Sequence, residues 1–417
     1  MSIIYRLGIG AYHTIIRLYA RLGNQKAKAW VNGRKQPIAW SKLEQARHKG
    51  PTIWMHCASL GEWEQGRPVL ESLIDAMHHN LAVALTFYSP SGFEKAKNYE
   101  LADLVAYLPE DGQARAQAFC ADLKPDLALF VKYEFWHYHL QALQANRVPT
   151  ILIAGAFRSG QPFFLRGGGW WRSMLQKFQL LLVQSQQDRM LLDGIQWPPE
   201  AVIVTGDPRV DRTLDIAATA WTDPILDAFA ADERPIIVAG SAWAADVQRL
   251  QGVWPEIKGR FKLLIAPHEI TKQHVFDWSR AFSAQRYTQL KSDEEVQADV
   301  LILDTVGILS RVYRYGHVAL IGGGFGAGIH NTLEPMAYGI PVLFGPRIHK
   351  FREALNMVAA GGAFTFETAD QLKTRLLELT DPVKYRAACT EVKTYMDTNS
   401  GATSRSVDAI LSVWPAD

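Results

Sequence analysis

Short apolar runs of strand length alternate with longer helical stretches through most of this 417-residue chain, and that alternation restricts the fold more than any other feature. Such runs occur at 52–58, 81–88, 127–132, 150–154, 180–184 and 201–205, then again at 235–239, 261–266, 300–303, 318–321 and 341–344. Strands that are apolar throughout, with helices between them, are buried on both faces, which predicts parallel sheets covered by helices. The series pauses once, at 207–232, where a helical pattern rich in alanine and acids is broken by Pro208 and Pro224. The expected architecture is therefore α/β: two doubly wound domains, 51–215 and 216–417, with a cleft between them, preceded by a segment 1–50 of different character.

That first segment is basic. It carries ten Lys and Arg against one acid, Glu44, although the whole chain is nearly balanced at a net charge of +2. The remaining residues hold 34 bases and 41 acids, so a cationic end is joined to an anionic body. Residues 3–22 are rich in Ile, Leu and Tyr but broken by Arg6, His13, Arg17 and Arg21. A spanning helix needs about 20 nearly uncharged residues, and no clean apolar core precedes a cleavage site, so neither a transmembrane helix nor a signal peptide is expected. The pattern suits an amphipathic helix lying among anionic headgroups, or one packed on its own domain. Cys57, Cys120 and Cys389 show no paired or metal-like spacing, which points to a reducing compartment.

Ligands of doubly wound folds sit beyond the carboxyl ends of the strands, so the loops after the apolar runs should hold the chemistry. The richest is Gly322-Gly-Gly-Phe-Gly-Ala-Gly328, leading into Ile-His-Asn331-Thr-Leu-Glu334-Pro. Backbone N–H groups bared at Gly322, Gly323, Gly324, Gly326 and Gly328, ahead of a helix opened by Asn331 and Thr332, form a receptor for a phosphate. The block lies late in the chain, and Ala327 occupies the third glycine position of the dinucleotide fingerprint, so a nicotinamide-type site is not expected. Glu334 suits a ribose, yet Asn331-Thr-Leu-Glu334 also has capping-box spacing.

Earlier loops add titratable groups. In Ser59-Leu-Gly61-Glu62, Gly61 permits a tight turn, and Glu62 can act as a general base or simply close a capping box with Ser59. Glu134 follows another apolar run and can be catalytic, paired with Lys132 or solvated. Arg158, Arg166 and Arg172 interleave with Phe163, Phe164, Trp170 and Trp171, a surface for anionic phosphates beside an apolar tail, or a packed loop with exposed arginines. His268, in Ala266-Pro-His268, can meet a ligand or serve as a cap or core residue. Metal-ligand spacings and D-x-D are absent from the sequence, and wide basic patches are lacking, so neither a metal site nor a nucleic-acid partner is expected.

Along nearly its whole length the chain resembles the 3-deoxy-D-manno-octulosonate (Kdo) transferases that act on lipid A precursors. The likeness rests on Ser59-Leu-Gly-Glu62, Pro90-Ser-Gly92, Lys132-Tyr-Glu-Phe-Trp136, Gly206-Asp-Pro-Arg-Val-Asp211, Ala266-Pro-His268, Asp304-Thr305 and the long block from Gly322 to Pro346. The Lys-Tyr-Glu-Phe-Trp and Gly-Ile-His-Asn forms are similar to the branch found in Bacteroidota. The resemblance implies a GT-B fold, with an acceptor-binding first domain and a donor-binding second one. It implies inverting, metal-independent transfer of Kdo from CMP-Kdo to a lipid IVA-like hydroxyl in lipopolysaccharide synthesis, with no cofactor beyond the donor itself. Glu62 matches the base and Glu134 a second acid. His268, the Gly322–Gly328 loop, Asn331 and Glu334 fall on the donor side, and Ser59, Gly61, Arg158 and Arg166 on the acceptor side. The expected location is the anionic cytoplasmic face of the inner membrane, peripheral or monotopic. Pro208, Val210, Ala244-Ala-Asp-Val247 and His137-Tyr138 depart from the family pattern, so loop roles there do not carry over.

Overall fold

Every residue of Thr52–Cys57 is buried, and its side chains divide by alternation, with Ile53, Met55 and Cys57 in one apolar cluster and Trp54 in another. A strand wet on neither face needs helices above and below it, and the computed structural model, which describes residues 2–414, supplies them. The chain forms two units, one running from the N-terminus to Asp211 and rejoined from Gly401 onward, the other Arg212–Ser400.

The first unit contains β1 (Thr52–Cys57), β2 (Ala82–Phe87), β3 (Leu104–Tyr107), β4 (Leu127–Val131), β5 (Thr150–Gly155), β6 (Leu180–Val183) and β7 (Val202–Val204). They form a seven-stranded sheet in the order β3-β2-β1-β4-β5-β6-β7, parallel throughout. The second unit contains β8 (Ile236–Ala242), β9 (Lys262–Pro267), β10 (Gln285–Arg286), β11 (Val300–Ile302), β12 (Val318–Ile321), β13 (Val342–Phe344) and β14 (Ala363–Thr365). Its order is β10-β11-β9-β8-β12-β13-β14, again parallel. Strand order reverses at β1/β4 in one sheet and β8/β12 in the other. Those reversals open a crevice at the carboxyl edge of each sheet.

Three backbone irregularities fall at the same edges. Register shifts occur near the ends of β5 and β8, where Ala154 and Ser241 take left-handed φ values of 52° and 49°. Lys132, just past β4, has φ 66°. Non-glycine residues in this region are held there at a cost of roughly 1–2 kcal/mol each. Bulges of this type re-aim the side chains that follow them.

The N-terminal segment opens with a helix, Ser2–Arg21, followed by shorter helices at Gln25–Gly33 and Trp40–Ala46. One side of the long helix packs on the first unit: His13 and Ala20 are buried, the Tyr5 hydroxyl donates to Asp111 at 2.6 Å, and Arg17 pairs with Glu110. Ile3, Ile4, Leu7, Ile15, Leu18 and Leu22 remain more than half exposed. No helix of the described residues is long and apolar enough to cross a membrane.

At the other end, the helix Ala402–Val413 lies with the first unit, where Val407 and Ile410 join the cluster of Ile53 and Leu73. Asp211 secures that return by accepting the Gly401 and Thr403 N–H groups, both at 2.6 Å. The acid that ends the Gly206–Asp211 motif is thus a helix cap. Asp304, from another motif, is also structural, accepting from Thr288 N–H at 2.9 Å, its hydroxyl at 2.7 Å and Arg286 Nε at 3.2 Å.

Candidate active site

At the crevice of the first sheet, Glu62 follows β1 and Glu134 follows β4. Ser59 precedes the helix Leu60–Ala76 but makes no side-chain cap to it. Its hydroxyl donates instead to Glu62 Oε2, and the other carboxylate oxygen meets no donor among the described residues. The capping-box alternative is therefore not the arrangement adopted. Gly61 is exposed and has open space around its Cβ direction except for Ser59 Oγ at 3.8 Å, so a wider side chain there would stand beside the Ser59–Glu62 pair.

Glu134 is buried, 7 % exposed, and its carboxylate is ringed by polar partners. Trp136 Nε1–H donates to Oε2 at 2.6 Å, and His56 Nε2 lies 3.2 Å from the same oxygen. His56, fully buried within β1, reaches Thr86 Oγ1 through Nδ1 at 2.8 Å, and Trp54 Nε1–H donates to that hydroxyl at 2.8 Å. A chain of side chains from β1, β2 and the loop after β4 thus fixes the carboxylate. Both acids bear on Cys57: burial chiefly, then the charges of Glu62 and Glu134, push its thiol well above the ordinary range. His56 was not foreseen, because a histidine inside an apolar run reads as a core residue.

The arginine loop is only partly drawn to this cluster. Arg158 is exposed, with its guanidinium 5.8 Å from the Tyr133 ring centre. Arg166 is exposed on the turn before Gly167 and makes no hydrogen bond or ion pair among the described residues. Arg172 bonds the Phe163 carbonyl at 3.2 Å and serves the loop itself.

In the second unit the glycine block follows β12, beside β8. The expectation of bared N–H groups needs correction. Gly323 N–H donates to Asp246 at 3.1 Å, and those of Gly322, Gly326 and Gly328 to backbone carbonyls at 3.0, 2.9 and 3.3 Å. The glycines meet a packing demand. A Cβ on Gly322 would lie 2.2 Å from the Ser241 carbonyl oxygen and one on Gly324 2.6 Å from Gly345, both backbone contacts that cannot yield. Gly323 and Gly328 also adopt φ values of 96° and 137°, which other residues rarely take. Gly326 is exposed, with its carbonyl held by Arg347 Nη1 at 2.6 Å.

The helix beyond the block is a single turn, Leu333–Met336, capped at Thr332 without a side-chain bond, so little helix dipole stands behind the loop. Asn331 accepts from Leu333 N–H at 3.1 Å and donates to Glu334 Oε1 at 3.1 Å. This closes the turn locally.

Around this loop the structure assembles rings that no spacing announced. His268, exposed after β9, stacks at 4.3 Å on Trp243 and at 4.2 Å on His330. Trp243 Nε1–H donates to His330 Nε2 at 2.8 Å, and burial, with His268 alongside, pushes His330 down to about 4. His330 is thus the neutral acceptor that the bond requires. Buried Asp246 joins the two loops of the crevice, accepting from Trp243 N–H at 3.0 Å and from Gly323. Desolvation pushes its pKa above the usual carboxylate value.

Two Rossmann-like units, each with its polar groups at the carboxyl edge of a switch point, define a GT-B protein, the architecture of nucleotide-sugar enzymes. In fold the chain is similar to the UDP-GlcNAc 2-epimerase from Neisseria meningitidis bound to UDP-GlcNAc, at a TM-score of 0.62 and 15% identity over 87% of this chain and 100% of that one. A family model described as 3-Deoxy-D-manno-octulosonic-acid transferase (kdotransferase) matches residues 21–212. Across more of the length, the chain is 28% identical to the 3-deoxy-D-manno-octulosonic acid transferase of Aquifex aeolicus, over 78% of this chain and 85% of the relative. To the Bordetella pertussis enzyme of the same name it is 27% identical over 86% of each. Over most of its length the chain is similar to the Kdo transferases, and it is a glycosyltransferase.

Proposed function

We propose that the protein transfers Kdo from CMP-Kdo to a hydroxyl of a lipid A precursor, with inversion at the anomeric carbon and Glu62 as general base. The observation that carries this is Glu62 at the first switch point, oriented by Ser59 and retaining an oxygen free to receive a proton. Glu62 takes the acceptor hydroxyl proton as the acceptor oxygen bonds to the anomeric carbon. The bond from that carbon to the CMP phosphate oxygen breaks on the opposite side, and CMP departs with the electron pair. Glu134, locked by Trp136 and His56, places a fixed negative charge near a carbon that becomes cationic. In the second unit, the Trp243–His268 surface suits a stacked nucleobase. Asn331 and Glu334 offer polar groups to the ribose, and the Gly322–Gly328 loop lets the phosphate approach the backbone closely.

Incubation with CMP-Kdo and a tetraacylated lipid A precursor, read by mass spectrometry of the lipid, tests the reaction. One or more added Kdo units are expected, and no added mass would overturn the reading. The donor is checked separately by melting. CMP at about 100 times its dissociation constant should raise the second unit's transition by roughly 5–10 °C. A larger shift with UDP would point to a different donor.

The exposed apolar arc of the Ser2–Arg21 helix, with Arg6, Arg17 and Arg21 along one flank, supports placement on an anionic bilayer surface, which in the cell is the cytoplasmic face of the inner membrane. In flotation, the protein should rise with anionic vesicles and less with zwitterionic ones. The double substitution Leu7→Glu and Ile15→Glu should leave it at the bottom. Unaltered flotation of that variant would remove the helix from the membrane contact.

A further inference from the structure

A trough of about 690 Å³ runs between the N-terminal helix and the loop after β2. Its walls are Tyr12, Ile16 and Tyr19, spaced to share one helix face, with Ala27, Trp30 and Tyr88 opposite. We infer that this trough takes one acyl chain of the acceptor lipid; the inference rests on the lipid A precursor being the acceptor.

Three observations select that occupant. The first is continuity: the Tyr88 ring stacks at 4.6 Å on Trp136, the indole that donates to Glu134. One end of the trough therefore adjoins the carboxylate cluster, and an apolar group seated there is tethered next to the reacting hydroxyl. The second is an unpaired donor. Trp30, 5 % exposed, has an indole N–H without an acceptor among the described residues. An acyl chain enters with the carbonyl of its ester or amide link, an acceptor that a bare hydrocarbon lacks. The third is charge. Lys26 lies at the rim, Glu94 beside it is engaged by Lys97 at 2.6 Å, and Arg34 stacks behind the aromatic wall, 3.9 Å from the Trp30 ring centre and 4.6 Å from that of Tyr88. Cations beside an apolar lumen suit the tail of an anionic lipid. The same helix exposes Ile4, Leu7 and Ile15 on the adjoining arc, so a chain leaving a bilayer passes from one apolar surface to the next.

The test compares Kdo transfer to the tetraacylated precursor in detergent micelles with transfer to its fully deacylated, water-soluble counterpart. Ala27→Phe fills the trough from one wall and Ser91→Leu from the other. Each should raise KM for the acylated acceptor roughly tenfold or more while leaving kcat, the KM for the deacylated acceptor and the CMP melting shift near wild type. Equal changes for both acceptors, or none for either, in variants that melt like wild type would overturn the proposal. Absence of transfer by the wild-type protein to either acceptor would instead overturn the proposed reaction.

Discussion

Glu62→Gln is expected to lower kcat for Kdo transfer by about 10²–10⁴-fold, the range for losing a positioned general base, while the CMP-induced melting shift stays at its wild-type size. The substitution separates the two roles a carboxylate can play at this point of a helix. Glutamine closes a capping box as well as glutamate does, so a structural Glu62 predicts almost no loss. Chemistry needs the negative oxygen, and an amide cannot accept the acceptor's proton at neutral pH. The structure leans toward chemistry because Ser59 spends its hydroxyl on the carboxylate and not on the helix. Ser59→Ala should then cost less than Glu62→Gln, since it frees the base without removing it. A variant with glutamine at position 62 within threefold of wild type would eliminate Glu62 as the base.

How far the fold was legible depended on burial. The run 318–321 coincides with β12 because apolar residues on both faces end abruptly at Gly322. The unforeseen strands, β3, β10 and β14, all occupy sheet edges. An edge strand has one neighbour and is short, as in the two half-buried residues of β10, so it leaves little apolar pattern. The return of Ala402–Val413 to the first unit was equally hidden. An amphipathic helix declares which face it buries, not which sheet it buries that face against.

The candidate site divides in the same way. Glu62 and Glu134 stood out because polar residues directly after buried strands fall at a carboxyl edge. The glycine block stood out by composition, but the contact that demands Gly324 is with Gly345 on the next strand's loop, a pairing no local spacing encodes. The Trp243–His268–His330 stack joins residues following three different strands. Each of them alone looks like an ordinary loop residue.

Asp111→Ala is expected to destabilise the first unit by about 3–5 kcal/mol, because it strands several buried donors at about 1–3 kcal/mol each. Four donors converge on that carboxylate: the Tyr5 hydroxyl at 2.6 Å, the Tyr138 and His139 N–H groups at 3.1 Å and His139 Nδ1 at 2.7 Å. Burial alone would raise Asp111, but the hydrogen bonds it accepts, from His139 first and then from Tyr5 and the Tyr138 N–H, hold it below the ordinary aspartate range. Burial lowers His139 despite its contact with Asp111, so the folded pair is a carboxylate beside a neutral imidazole. Both shifts act in one direction. Below about pH 6.5 the unfolded chain takes up a proton on this histidine that the folded chain resists, and stability begins to fall. Near pH 4 and below, the unfolded aspartate is protonated before the folded one, and the carboxylate's contribution is lost as pH drops through its folded value. Melting followed calorimetrically from pH 7.5 to 3.5 should show both declines in the wild type. Asp111→Asn should lose the lower one and keep the upper. The alanine variant should melt lower by roughly 6–20 °C at pH 7.5, and a drop under about 2 °C would mean that the network does not hold the unit. Tyr5 loses the hydrogen bond from its hydroxyl to Asp111 in the same variant, so a looser N-terminal helix should accompany the lower melting point, visible as faster amide exchange across residues 3–12.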